Sequence, residues 1–157
     1  MKKYGSFGNK EFIITDYNTP RPQLNYVWNS RMLSGINHFG GGDGAYGNRA
    51  ASYIDPEGKG RAILIRDGNR YFYVRDEQTG EYWNPGWYPA KTDIDNYSCT
   101  HGIGYSKIHG EKNGIAVEIL GYVGDEAPAE LWSVKVKNLS GSKKAIKSIS
   151  SWLDKTL

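Results

Sequence analysis

Alternation of apolar and polar residues is the clearest pattern along this chain. In Glu130–Asn138 a strict period of two puts Trp132, Val134 and Val136 on one face and Ser133, Lys135 and Lys137 on the other, as a half-buried strand requires. The run 11–15 is short, apolar and β-prone, and it stops at a turn segment holding Pro20 and Pro22. Two β-rich runs, 61–67 and 70–76, flank Asp67-Gly68-Asn69 and predict a hairpin. A second hairpin is predicted where 99–110 and 113–123 meet near Asn113-Gly114. The ending, 143–157, starts as a strand and then stops. No window keeps a helical period over a useful length. Dense turns without intervening helices predict an all-β, antiparallel sandwich.

Composition sharpens that reading. The 157 residues favour one domain with room for a real core. Glycine is frequent (20 residues), as are aromatics, with five Trp, twelve Tyr and four Phe. Both suit strands joined by turns. A net charge of +3, with both signs interspersed, gives no nucleic-acid footprint. The exception is Lys135, Lys137, Lys143, Lys144 and Lys147, which fit a solvated sheet edge. The single cysteine, Cys99, excludes an intrachain disulfide and a cysteine-rich zinc site. No apolar run is long enough to span a membrane, and the first residues do not resemble a secretory leader. The expected location is the cytoplasm.

The candidate chemistry begins at the glycine-rich stretch 36–58. Gly42-Asp43-Gly44-Ala45-Tyr46-Gly47 spells G-x-G-x-x-G, but a dinucleotide site needs a helix straight afterwards, and Asp55-Pro56 with further glycines breaks one. Asp43 is the only carboxylate inside the Gly42–Gly47 string, too few for calcium. Glycines do let backbone approach a bulky partner, and the neighbouring His38, Phe39 and Tyr46 suit a sugar, whose C–H face stacks on rings. His38, His101 and His109 lie in separate segments without metal-ligand spacing, so each reads first as a structural hydrogen-bonder. Asp76, Glu77 and Glu81 read as turn residues, and Asp93 and Asp95 are ambiguous. Cys99 and His101 share a strand face, yet no third orienting group or oxyanion site accompanies them.

Several phrases, in order, resemble one family. Residues 4–29, "YGSFGNKEFIITDYNTPRPQLNYVWN", are similar to the opening of the family 94 glycoside phosphorylases, with Tyr-Gly-x-Phe, a β run ending in Ile-Thr, and Thr-Pro-x-Pro-x-x-Asn-Tyr. Residues 71–108 carry Arg-Asp, Trp-Asn-Pro-x-Trp-x-Pro and Tyr-x-Cys-x-His-Gly-x-Gly-Tyr in the family's order. Residues 113–140 resemble the next two strands, so the likeness covers about residues 4 to 140.

The resemblance implies a supersandwich of the galactose mutarotase-like kind, here an incomplete N-terminal portion occupying residues 1–157. It implies a partner (α/α)6 barrel, carrying the general acid, that this chain lacks. The family cleaves β-glucosides with inorganic phosphate as co-substrate and no cofactor, inverting the anomeric centre. No residue here is therefore expected to be catalytic. Dimers through this domain, or a separate barrel-bearing chain, are the implied protein partners. The glycine-rich loop departs from the family form. The expectation is that His38, Phe39, Tyr46 and Arg49 shape the acceptor end of an active site completed elsewhere. Two other readings stay open. One is an autonomous carbohydrate-binding module with Trp83, Trp87 and Tyr88 as its platform; the other is a purely structural dimerisation domain. Burial of those tryptophans around Pro85 would make them core.

Overall fold

The computed structural model describes residues 3–42, 44–46, 70–127 and 129–152. Among them, twelve strands form three antiparallel sheets, and no helix occurs. The strands are β1 (Gly5–Phe7), β2 (Glu11–Ile14), β3 (Leu24–Trp28), β4 (Met32–Asn37), β5 (Gly44–Tyr46) and β6 (Arg70–Asp76). They continue with β7 (Tyr82–Trp83), β8 (Asn96–Gly102), β9 (Tyr105–Lys112), β10 (Ile115–Val123), β11 (Glu130–Asn138) and β12 (Ile146–Trp152). The main sheet has the order β1-β2-β8-β9-β10-β11; the smaller ones run β12-β6-β7 and β3-β4-β5. The first predicted strand ends at Ile14, one residue early. The hairpin expected at Asp67-Gly68-Asn69 lies outside the described residues.

Local chemistry accounts for the tight turns. Asn113 and Gly114 both take positive φ, 51° and 76°, which is what a two-residue hairpin joining β9 to β10 demands. Gly42 has φ +147°, and an added Cβ there would lie 1.9 Å from the Gly35 carbonyl oxygen. Of the G-x-G-x-x-G string, Gly44–Tyr46 form a strand paired with β4.

The main core lies between the large sheet and β6–β7. Ile14, Val74, Trp83, Tyr97, Cys99, Ile108 and Val117 are buried together. A second cluster, Val27, Met32, Ile36 and Val123, seats the β3–β4 hairpin. Removing these side chains from water supplies most of the drive to fold. A buried ion pair fastens the three sheets at one point. Arg70 of β6 pairs with Glu130 of β11, and its Nη2 donates to the Gly35 carbonyl of β4 at 2.8 Å. Ser34 Oγ donates to the same Glu130 carboxylate at 2.7 Å.

β11 behaves only partly as its alternation suggests. It is the last strand of its sheet and carries Lys135 and Lys137, as an edge strand should. Its apolar face is half covered: Trp132 packs on the core, but Val134 and Val136 stay exposed. Lys144 and Lys147 reach Asp76 and Glu77 across the β12–β6 pair.

Candidate functional site

Parts of the first two phrases that carried the family resemblance meet at one end of the fold. The proline-containing segment before β3 is held by two histidines, His38 buried and His101 half-buried, that grip both backbone polar groups of one residue. Gln23 N–H donates to His38 Nδ1 at 3.0 Å, while His101 Nε2 lies 3.2 Å from the Gln23 carbonyl. These contacts fix both tautomers. His38 accepts at Nδ1, so its proton sits on Nε2 and points at the Tyr17 carbonyl, 3.2 Å away. His101 donates from Nε2, and in a neutral ring its Nδ1 accepts from the Ser106 hydroxyl at 2.9 Å. The bond accepted at Nδ1 makes His38 neutral, and burial does the same for His101. Burial lowers the pKa of His38 below its ordinary value and takes that of His101 down to about 4. Asn25 completes the clamp: its Nδ2 donates to the carbonyls of Gly102 and Tyr105, at 3.0 and 2.8 Å, and so ties β3 to the β8–β9 turn.

Beside this clamp stands the Trp-Asn-Pro-x-Trp segment. Asn84 is buried, and its Oδ1 accepts from Gly86 N–H at 2.7 Å while its Nδ2 donates to the Phe72 carbonyl at 2.9 Å. Trp87 N–H closes the turn onto the Asn84 carbonyl at 2.8 Å. The turn docks through two glycine contacts. A Cβ on Gly86 would meet the Phe39 carbonyl oxygen at 2.1 Å, and one on Gly110 would meet the Pro85 carbonyl oxygen at 2.6 Å. Outside this turn runs a band of rings. Tyr17 stacks on Trp87 at 5.2 Å, Phe39 lies 5.9 Å from Trp87 and 5.7 Å from Tyr88, and Tyr71 meets Tyr88 edge-on at 5.9 Å. Lys91 Nζ sits over the Tyr88 ring.

The predicted site residues land in different places. His38 has no exposed surface: its ring is spent on Gln23, Tyr17 and the neighbouring Phe39, so it positions a loop and faces no solvent. Phe39 is half-buried within the ring band. Tyr46 ends β5, opposite Met32. Arg49 lies outside the described residues. Trp83, Trp87 and Tyr88 do not line up as a platform. Trp83 and Pro85 are core, Trp87 has one face covered by Tyr17, and only Tyr88 is open. The difference arises because the turn at Pro85-Gly86 drops one tryptophan inward and lifts the next.

The Cys99–His101 pair is inert by geometry and burial. Sγ lies 3.8 Å from Nδ1, the thiol is fully buried, and burial pushes its pKa far up, away from thiolate. Asp76 caps a turn instead of acting as an acid: its Oδ1 accepts from Gln78 N–H and Thr79 N–H, which, with Lys144 nearby, hold its pKa low. Among the described residues there is no cluster of His, Cys, Asp or Glu that could hold a metal ion, and no helix long and apolar enough to cross a membrane. Sequence reasoning missed Asn25, Asn84 and Tyr17. The signal was present in the Asn-Pro-Gly-Trp turn, since Asn two residues before an N–H forms such turns readily.

Three antiparallel sheets locked by long-range side-chain bonds to loop carbonyls define a β-supersandwich whose organised end is a loop platform. The profile of the glycosyl hydrolase 94 supersandwich domain matches residues 10–152, past the point where the resemblance by phrases ends, and the chain belongs to that family. It is 56% identical over 152 residues to solabiose phosphorylase of Paenibacillus borealis, covering 96% of this chain and 20% of that protein. It is 33% identical over 156 residues to N,N'-diacetylchitobiose phosphorylase of Vibrio proteolyticus, covering 94% and 19%. A third relative, 3-O-beta-D-glucopyranosyl-beta-D-glucuronide phosphorylase of Paenibacillus borealis, is 31% identical over 137 residues, covering 86% and 16%. The chain thus spans about a fifth of the length of these relatives.

Proposed function

We propose that this sandwich serves an inverting disaccharide phosphorylase, supporting a barrel domain that carries the general acid. The observation behind this reading is the 56% identity to solabiose phosphorylase across 96% of the chain. In such a reaction the barrel's carboxylic acid protonates the leaving oxygen while inorganic phosphate attacks the opposite face of the sugar, giving a sugar 1-phosphate. This chain's part is positional. The histidine clamp and the Asn84 turn hold Phe39, Trp87 and Tyr88 in fixed relation at one end of the sandwich. That end is the proposed substrate-entrance side, with Phe39 and Arg49 reaching the acceptor sugar and His38 holding Phe39 in place; Tyr46, which pairs with Met32 at the other end of β4, is left out of it. The proposed setting is a cytoplasmic homodimer or an assembly with a separate barrel-bearing chain.

The test is to produce this chain with and without a polypeptide carrying the barrel, and to assay phosphate release from glucose 1-phosphate with a panel of monosaccharide acceptors. Activity only with both partners is the expected result. In that assembly Phe39→Ala and Arg49→Ala should raise the acceptor KM with kcat little changed, as loss of uniform binding does. Activity without this chain, or KM values like wild type, would refute the reading.

A further inference from the structure

β3 departs from the usual pattern of a one-sided strand. Asn25 and Val27 point inward, the first bonded to the β8–β9 turn and the second fully buried. The outward residues should then be polar. They are Leu24, Tyr26 and Trp28, exposed by 38%, 48% and 67%. β3 is also the edge of its sheet, and the residue across from Tyr26 is Gly35, so no cross-strand side chain covers that ring. Tyr26 and Trp28 sit two residues apart on one face, about 7 Å along the strand.

The ground beyond Trp28 is polar and fixed. A cleft of about 540 Å³ begins at Ser30 and is lined by Arg31, Asp125, Glu126 and Ala127. Asn29 ties the two loops that flank it. Its Nδ2 donates to the carbonyls of Gly124 and Ala127, at 2.6 and 2.8 Å, and its Oδ1 accepts from Arg31 and Met32 N–H groups. The lining of the cleft includes one guanidinium donor and two carboxylate acceptors. A ligand of one charge would meet a like charge there. A neutral, hydroxyl-rich ligand satisfies both kinds of group, and its C–H faces suit the rings next door.

We propose that the outer face of β3, with Tyr26 and Trp28 as stacking rings and the Arg31–Asp125–Glu126 cleft as its polar end, binds a neutral oligosaccharide chain. This surface goes beyond the proposed function. It lies at the far end of the β3–β4 hairpin from His38 and Phe39. It would hold a glycan away from any reacting bond.

The experiment titrates the whole chain with cellohexaose and laminarihexaose, followed by tryptophan fluorescence and affinity gel electrophoresis, with circular dichroism confirming the fold of each variant. Wild type should bind at least one of the two. Trp28→Ala should weaken binding at least about tenfold, a loss of about 1.4 kcal/mol, and Trp28→Tyr should retain most of it. Phe7→Ala removes another exposed ring, 86% open and on a different sheet, and should change nothing. No binding to either glycan by folded wild type, or full affinity in Trp28→Ala, overturns the proposal. Neither result bears on the assay with the barrel, which reads phosphate release at the opposite end of the hairpin.

Discussion

The paired histidines make acid the most informative perturbation. His101 has an ordinary pKa of 6.5 and is taken by burial to about 4 in the folded chain. Between those values the unfolded chain binds a proton that the folded chain refuses, so stability falls as pH falls. A gap of about 2.5 units at about 1.4 kcal/mol each gives about 3 kcal/mol from this ring alone. Below about pH 4 the folded form also takes the proton and the slope from this ring ends. His38 is shifted the same way by burial and adds to the loss. Its proton would arrive on Nδ1, which faces the Gln23 N–H at 3.0 Å, donor against donor. Asp76 does not mask the effect, because its pKa is held below 3.8 and its contribution is lost only as pH drops further. The assay is urea unfolding followed by far-ultraviolet circular dichroism at about pH 7.5, 6.5, 5.5 and 4.5. The wild-type chain should lose stability steadily across the lower three. His101→Gln, whose amide can still donate to the Gln23 carbonyl, should lose markedly less. A flat profile in the wild type, or the same slope in both proteins, would refute the assignment of two neutral rings.

Two further predictions concern the turn beside the clamp. Asn84→Ala strands the buried Gly86 N–H and deprives the Phe72 carbonyl of its partner, and should cost about 2–4 kcal/mol in urea unfolding; a cost below about 1 kcal/mol would show the turn does not depend on it. Trp83→Ala empties a core position and should cost about 3–5 kcal/mol, whereas Tyr88→Ala, on the open side of the ring band, should cost far less; equal losses measured by the same unfolding would contradict the inward and outward placement.

The strand class and its turns were legible because they depend on local pattern. Period-two alternation marks β11, and Asn-Gly marks the β9–β10 turn, with both residues at positive φ. The family likeness was legible because its phrases are long and in order, and the match to residues 10–152 bears it out. The clamp was not legible. Asn25 meets Tyr105 across 80 residues, and His101 meets Gln23 across 78. Periodicity carries no information about partners so distant. The tryptophan pair misled for a related reason: spacing in sequence says nothing about depth once Pro85-Gly86 turns the chain. Val134 and Val136 share a face as the alternation requires, yet alternation alone could not say that little would cover them. Arg49 remains an expectation resting on the loop's composition.

The small sheet β3-β4-β5 shows how these pieces work together. Among the described residues no backbone ladder joins it to the other two sheets. It is attached by side chains instead, through buried Val27 and Ile36, and by polar bolts at both ends. At one end His38, His101 and Asn25 tie it to the loops around Gln23 and Gly102. At the other, Asn29 ties it to the carbonyls of Gly124 and Ala127. In between, Arg70 reaches the Gly35 carbonyl from β6. An element held this way keeps its outer face free and its two ends fixed relative to the core. That arrangement suits display more than enclosure. It lets one hairpin hold Phe39 in the ring band at one end and Trp28 in solvent at the other without either disturbing the other.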